Sequence, residues 1–487
     1  MIPRTTEDNL TPHDLRALVA IDLGAESCRV SLLRWLPEGP EIRLVYRFAN
    51  EAVPTNGELH WQMSRILTEL HSGLRLCAEL APEGIRSIAV DGWAVDYVKL
   101  DDNGNAVGEP FSYRDTRTLS AETAMHERIS ATQMREITGI QISRINTAYQ
   151  LFADKLAAPE LACKHWLNLP EYVLFRLGGR PVSELTNATH TQMVGLDGEW
   201  SPEIFEALEL EIRCAPSIVP PGTDIGHLRG ELAELPAFAD TRLIAPCCHD
   251  TASAIAAIPD AGKDWAYISS GTWSLVGTLL DAPVNTPESS EANYTNLAGA
   301  DGRTCFHRNV NGLWLLRQCM EDWTKAGATF TIAELVHAAG QVPTPHHLID
   351  VDDPDLLLQG GMADRINAQL ARRHLAQYST AHEDAPHLAS LIFHSLAARY
   401  ADVLKHIEHM TSKHFEHLYI VGGGSQNALL TRLTSEATGL PIRGTETESS
   451  TLGNFAVQLA TLERPEASSE LTTSLWAKRL RSASRVV

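Results

Sequence analysis

Carboxylates beside small residues mark three places in the chain where chemistry could be done. In AIDLGAESCRVSLL, residues 20–33, Asp22 closes an apolar run and enters a turn at Gly24. A buried charge without a partner costs several kcal/mol or more. Two partners suit Asp22: a hydrated Mg²⁺ bridging phosphate oxygens, which takes one or two carboxylates and keeps most of its waters, or the backbone of its own turn. In IAPCCHDTASAIAAI, residues 244–258, an apolar segment ends at His249-Asp250 and an Ala-rich helical stretch follows. Asp250 is either the N-cap of that helix or a functional carboxylate, kept ionised by the positive helix end, which also attracts a phosphoryl group. The resulting low basicity matters little, because phosphoryl transfer asks only for late proton removal. In VDGWAVDY, residues 90–97, strand alternation places Asp91, Trp93 and Val95 on one face with Ala94 opposite. Acids beside an indole suit a polyhydroxylated sugar; a half-buried strand with one paired Asp is the alternative.

If a nucleotide binds, its phosphates need backbone donors, because neither GxxxxGK[ST] nor GxGxxG after the first strand occurs. Three turns of small residues offer them: the turn after Asp22, Ser270-Gly271-Thr272, and Gly422-Gly423-Gly424. Ser27, Arg29 and Thr272 add side-chain donors; ordinary turn chemistry is the plain alternative.

These groups need elements to hold them. Runs at Leu18–Leu23, Arg29–Trp35 and Ile42–Phe48 predict three antiparallel strands, Trp61–Leu80 an amphipathic helix, and Ser87–Val90 a further strand. Trp265–Leu279 repeats the strand, small turn, strand pattern about 250 residues later, which suggests a duplicated fold with a ligand between the halves. Leu388–Met410 predicts a helix, and His417–Val421 a strand running through the triple glycine into a helix from Asn427.

The chain has 487 residues, 44% of them hydrophobic, which suits two or three domains of ordinary size. No run approaches the roughly 18 to 20 apolar residues of a membrane span, and MIPRTTEDNLTPHD lacks a leader's apolar core, so a soluble cytoplasmic protein is expected. Forty Lys plus Arg against 61 Asp plus Glu leave a formal charge of −21, which disfavours nucleic acid as a partner. The eight cysteines form no CxxC pair and read as reduced core thiols, and His346-His347 lacks a metal-binding spacing.

Together these stretches resemble the FGGY carbohydrate kinases of the sugar kinase, actin and Hsp70 superfamily, and within them the L-rhamnulokinase branch. The resemblance rests on IDLGAES (21–27), VDGWAVDY (90–97), YRDTRT (113–118), TNATHTQM (186–193), CHDTASA (248–254), SSGTWSLVG (269–277), NVNGLWLL (309–316), VGGGSQNALL (421–430) and SSTLGN (449–454), in the family's order. It implies an α/β fold of two duplicated actin/hexokinase-like (ribonuclease H-like) domains with a ligand cleft between them: an N-terminal sugar-binding domain over 15–258, a C-terminal nucleotide-binding domain over 264–462, and a peripheral tail over 463–487. It implies ATP and Mg²⁺ as cofactors, with transfer to the 1-hydroxyl of L-rhamnulose or of a related ketose. By the same resemblance, Asp250 is the proton acceptor, and His249, Thr251, Asn309 and Ala94 (where the family usually has Gly) contact the sugar. Ala25, Glu26, Ser27, Cys28, Arg29, Thr272 and Gly423 fall on ATP-binding positions, and Asp22 lies near the metal. Cys28 replaces a common Gly and Arg317 a Gln. Expected partners are the sugar and ATP, with no nucleic acid and no membrane, in a monomer or small homo-oligomer. A non-catalytic sensor is disfavoured by the acidic balance and by the roughly sixteen residues ahead of the first strand, too few for a helix-turn-helix.

Overall fold

The computed structural model describes residues 10–158, 165–259, 262, 264–444, 448–463, 473–483 and 485–486. Its principal elements, in chain order, are β1 (Ala17–Leu23), β2 (Ser27–Leu36), β3 (Gly39–Ala49), α1 (Met63–Leu80), β4 (Ile85–Gly92), β5 (Val182–Glu184), α2 (Leu185–His190), β6 (Thr223–His227), β7 (Arg242–Ala245) and α3 (Asp250–Ala256). There follow β8 (Trp265–Ser270), β9 (Trp273–Leu280), β10 (Thr304–Asn311), α4 (Trp314–Lys325), α5 (Ala385–Thr411), β11 (His417–Val421), α6 (Ala428–Thr438), β12 (Ile442–Arg443), α7 (Ser449–Leu462), α8 (Thr473–Ala483) and β13 (Arg485–Val486). By its contacts the chain forms two compact units. The first takes Met1–Ala261, Leu280–Cys305 and Ser449–Val487; the second takes Gly262–Leu279 and Phe306–Glu448.

In the first unit the sheet runs β6-β7-β4-β1-β2-β3-β13. The opening meander β1-β2-β3 is antiparallel as expected, and β4 and β7 lie parallel on the other side of β1. All seven residues of β1 are buried because each sheet face has its own core. Val19, Ile21 and Leu23 pack with Ile66, Leu70 and Leu74 of α1. Leu18 and Ala20 pack with Leu452, Phe455 and Leu459 of α7 and Trp476 of α8. Burial of each such large side chain is worth roughly 1.5–3 kcal/mol. The stretch 463–487, expected at the periphery, therefore supplies in α8 a helix that fills a core. The expected helix at Trp61 starts two residues later, at Met63, because Trp61 turns inward and donates Nε1 to Asp96 Oδ2 at 2.6 Å.

In the second unit strands β10-β9-β8-β11-β12 lie side by side. The hairpin β8-β9 is antiparallel, while β11 and β12 run parallel to β8 and β11 respectively. This order repeats β3-β2-β1-β4-β7, so the duplication inferred from two hairpins extends to five strands. The apolar residues at helical intervals in Leu388–Met410 (Leu388, Leu391, Ile392, Leu396, Tyr400, Val403, Leu404 and Ile407) are all buried on α5, and Tyr400 OH meets Ser274 Oγ of β9 at 2.7 Å.

Among the described residues no helix is long and apolar enough to cross a membrane, and seven cysteines carry free thiols. Cys163 lies outside the described residues, as do Asp260, Ala261 and Lys263 of the expected boundary.

Candidate active site

In the first unit, strand register alone brings two acids together. Asp22 of β1 stands beside Asp91 of the parallel β4, and across the antiparallel hairpin it stands opposite Arg29 of β2. The two-residue period of β1 puts Asp22 on the face of Leu18 and Ala20, which α7 covers. Arg29 donates Nη1 to Asp22 Oδ2 at 2.9 Å, and Ser450 in the first turn of α7 donates its hydroxyl to the same oxygen at 2.8 Å. Asp22 is thus met by side chains, not by the backbone of its turn, and Arg29 gives a reason for a buried carboxylate independent of any metal.

One turn further along α7, Asn454 donates Nδ2 to Asp91 Oδ2 at 2.6 Å; after another turn, Gln458 donates to Val19 O at 3.1 Å and accepts from Ser87 Oγ at 2.6 Å. Ser450, Asn454 and Gln458 repeat every four residues, so one helix face carries polar groups along β1 and β4, from Asp22 and Asp91 near their ends back to Val19 and Ser87. Between them Gly453 lets α7 lie against α3: a Cβ there would stand 1.7 Å from Ser253 O.

Asp250 reaches this place through β4. Gly92 donates its N–H to Cys248 O at 2.9 Å and pairs with His249, so residues 248–250 continue beside the strand before α3 begins. The N-cap of α3 is His249, without a side-chain cap bond, and Asp250 is the first helical residue, so the capping explanation of Asp250 does not hold. Its side chain keeps 37% of its exposure. Thr251 donates to Oδ1 at 3.2 Å, while His249 Nε2 lies 3.5 Å away. Burial, and then the Asp22 carboxylate, push the Asp250 pKa up to about 7. The helix end was expected to hold Asp250 ionised with low basicity, but the desolvation and the neighbouring acid outweigh it. Burial, Asp22 and Asp250 likewise hold Asp91 well above the usual carboxylate range. A partly open carboxyl titrating near neutrality can accept a proton from an alcohol.

The other expected positions divide. Ala94 lies on the turn after β4, 6% exposed. The Asp91-Trp93-Val95 face does not form, because the strand ends at Gly92 and Val95 turns with φ +72. Asp91 is sealed against Asn454. Asp96 instead binds the indole N–H groups of Trp61 and Trp93, the Gln150 amide and the Tyr113 N–H, which makes it a buried anchor of that turn. His249 packs edge-on to His190, ring centroids 4.7 Å apart, and burial lowers the His190 pKa to about 4, so that ring is neutral. In the hairpin turn Gly24 is required, since a Cβ would meet Ser27 O at 2.4 Å. Cys28 points into the core, where burial pushes its thiol up to about 12, and Ser27 Oγ accepts from Arg47 at 3.0 Å. Of residues 25–29, Cys28 can therefore offer a ligand only its backbone.

In the second unit, Thr272 and Gly423 occupy adjoining loops. Gly271 N–H closes the turn on Trp273 O at 2.9 Å, and the N–H groups of Leu313 and Trp314 bind Gly271 O and Thr272 O at 3.1 Å each. Gly422, at φ +85, and Gly424 press against Ser270, where Cβ atoms would lie 2.8 Å from its O and 2.1 Å from its Oγ. Gly423 has nothing within 4 Å of its Cβ direction, so of the three glycines it alone faces open space. Asn309 is half-buried on β10, and Arg317 pairs with Glu321 at 3.5 Å on α4. The residues missed in sequence were Ser450, Asn454 and Gln458, for which the four-residue spacing behind SSTLGN was the available signal.

The sequence matches the N-terminal domain of the FGGY family of carbohydrate kinases over residues 17–257 and its C-terminal domain over residues 266–462. It is 36% identical over 457 residues to the rhamnulokinase of Enterobacter sp. (strain 638), covering 92% of this chain and 90% of that protein. It is 34% identical over 449 residues to the rhamnulokinase of Bacteroides thetaiotaomicron, covering 91% and 90%. In fold it is similar to a ligand-bound xylulose kinase from Lactobacillus acidophilus, with a TM-score of 0.77, 17% identity, and 96% and 92% of the two chains covered. It is also similar to Plasmodium falciparum glycerol kinase with ADP, with a TM-score of 0.70, 14% identity, and 96% and 98% covered. The chain belongs to the FGGY family of carbohydrate kinases and is an ATP-dependent sugar phosphotransferase.

Proposed function

We propose that this kinase phosphorylates L-rhamnulose at its 1-hydroxyl, giving L-rhamnulose 1-phosphate and ADP. The sugar rests on the rhamnulokinases to which more than nine-tenths of the chain aligns. The observation that carries the chemistry is Asp250, a partly exposed carboxyl with a pKa near 7 at the end of a strand-bound peptide. In this reading Asp250 accepts the proton of the 1-hydroxyl as that oxygen bonds to the γ-phosphorus and the bond to the β,γ-bridging oxygen breaks, with ADP leaving in line. Ala94, His249, Thr251 and Asn309 contact the sugar. The backbone of Ala25, Glu26, Ser27, Cys28 and Arg29, with Thr272 and Gly423, takes the nucleotide.

The Asp22 carboxylate, paired with Arg29, helps to raise the Asp250 pKa, a repulsion between neighbouring acids that a divalent cation would relieve. Among the described residues no group of three or more His, Cys, Asp or Glu forms a cage of direct ligands. That fits Mg²⁺, which keeps several waters and binds through one or two carboxylates and the phosphates. Asp22 would hold it, and the bound ion would neutralise phosphate charge.

A panel of ketoses (rhamnulose, fuculose, ribulose, xylulose) with coupled ADP detection tests the assignment. L-rhamnulose should give the highest kcat/KM, and a tenfold preference for another ketose would displace it. Asp250→Asn should lower kcat by about 10² to 10⁴ with an unchanged melting temperature; near-normal turnover would remove Asp250 as the base.

A further inference from the structure

Behind the Cys248–Asp250 peptide stand two buried carboxyls that belong to neither the sugar nor the nucleotide positions. Glu184 ends β5 and caps α2, with Oε1 accepting the Thr186 N–H at 2.9 Å. Its Oε2 accepts both the Thr186 hydroxyl and the Cys248 N–H, the latter at 2.7 Å. Thr186 Oγ1 accepts the His249 N–H at 3.1 Å. From the opposite edge, Gly92 N–H holds Cys248 O at 2.9 Å. Two successive amides ahead of Asp250 are therefore held by one carboxylate and the hydroxyl bound to it. Glu184 and Thr186 are both wholly buried. Glu171 stands behind them, accepting the Glu184 N–H at 3.1 Å and the Asn187 side-chain amide at 2.9 Å.

Such an arrangement is costly for stability alone. Burial pushes Glu184 up to about 8 and Glu171 up to about 7, and apolar residues of similar volume usually serve a core as well as buried charges or better. Yet the three groups at the Glu184 oxygens are all donors. A carboxylate offers them two acceptor oxygens and, when charged, stronger bonds than a neutral group gives. A glutamine offers one acceptor, and its amide would set N–H against N–H.

We propose that Glu184, acting through Thr186, is a positioning residue that fixes the Cys248–His249 peptide and so aims the Asp250 carboxyl at the hydroxyl it deprotonates. This rests on the reading of Asp250 as the base. Transfer rates are sensitive to such placement, because an error of about 1 Å can cost on the order of 10²-fold.

The test uses the full-length kinase and its best ketose from the panel. Glu184→Gln and Thr186→Val should each lower kcat at least tenfold while the KM for ATP stays within twofold, and Thr186→Ser, which keeps the hydroxyl, should recover to within twofold of the parent. The fraction folded, from thermal melts at the assay temperature, corrects kcat to the folded molecule. Hydrogen exchange at the Cys248 and His249 amides should speed up at least tenfold in Thr186→Val and return to the parent rate in Thr186→Ser. The proposal is overturned if Thr186→Val keeps kcat within twofold, if Thr186→Ser is as impaired as Thr186→Val, or if the loss in Glu184→Gln disappears after correction for folded fraction. Failure of the base assignment is separate: Asp250→Asn would then turn over normally, whatever exchange at these amides does.

Discussion

Asp22, Asp91 and Asp250 carry the same carboxyl in three different surroundings. Asp22 has a guanidinium and a hydroxyl, Asp91 a carboxamide, and Asp250 a threonine hydroxyl and an open side. That difference separates an anchoring acid from one able to exchange protons. If Asp250 is the base, kcat/KM for the sugar at saturating ATP should fall about tenfold per pH unit below its pKa of about 7, because only the ionised form accepts the proton. Arg29 lowers that pKa, so Arg29→Gln should move the acid limb to higher pH, while a limb that stays put would show that the guanidinium does not act on Asp250. Asp22 and Asp250 were visible as candidates in the sequence because each carboxylate ended an apolar run. Their company was not visible: the hydroxyl on Asp22 comes from 428 residues further along the chain.

Among the elements, α7 does the most to define the site, and its polar face can be tested one residue at a time. Gly453→Ala places a methyl against Ser253 O, where no backbone shift is cheap, and should cost about 1–3 kcal/mol or more, read as a lower denaturation midpoint. Asn454→Ala removes the donor from buried Asp91 and should cost about 1–3 kcal/mol. Burial, Asp22 and Asp250 already push the Asp91 pKa up, and the Asn454 bond opposes them. Losing Asn454 raises its pKa further, so the destabilisation should be larger at pH 8 than at pH 5.5; equal losses at both would show that Asn454 does not favour the ionised form. Most strands and long helices were legible, since the continuous apolar run of β1, buried on both faces, and the 3.6-residue burial in α1 and α5 follow directly from the apolar pattern. VDGWAVDY misled because alternation was carried past Gly92, whereas Val95 adopts a left-handed turn. Its carbonyl is held by Thr147 and Gln150, and Asp96 gathers the Gln150 amide and the Trp61 indole besides that of nearby Trp93; apart from Trp93, these are long-range partners that no local pattern announces.

For the whole molecule, the buried carboxyls set a direction of pH dependence. Glu171 and Glu184 titrate near 7 and 8 in the folded chain, against about 4.3 when unfolded. The native state therefore binds more protons than the unfolded one between those limits, and stability falls as pH rises through them. Chemical denaturation without ligands should give a lower midpoint at pH 8 than at pH 6.5, and Glu184→Gln should reduce the difference. The chain passes between its two units four times, at 261/262, 279/280, 305/306 and 448/449. On a ribosome, the second unit, ending at Glu448, can complete itself first, while the sheet that begins the protein must wait for Ser450, Asn454 and Trp476 to emerge. During synthesis β1 and β4 are thus made early and sealed late, and chaperones or proteases that act on nascent chains would find their target in these strands until α7 and α8 have emerged.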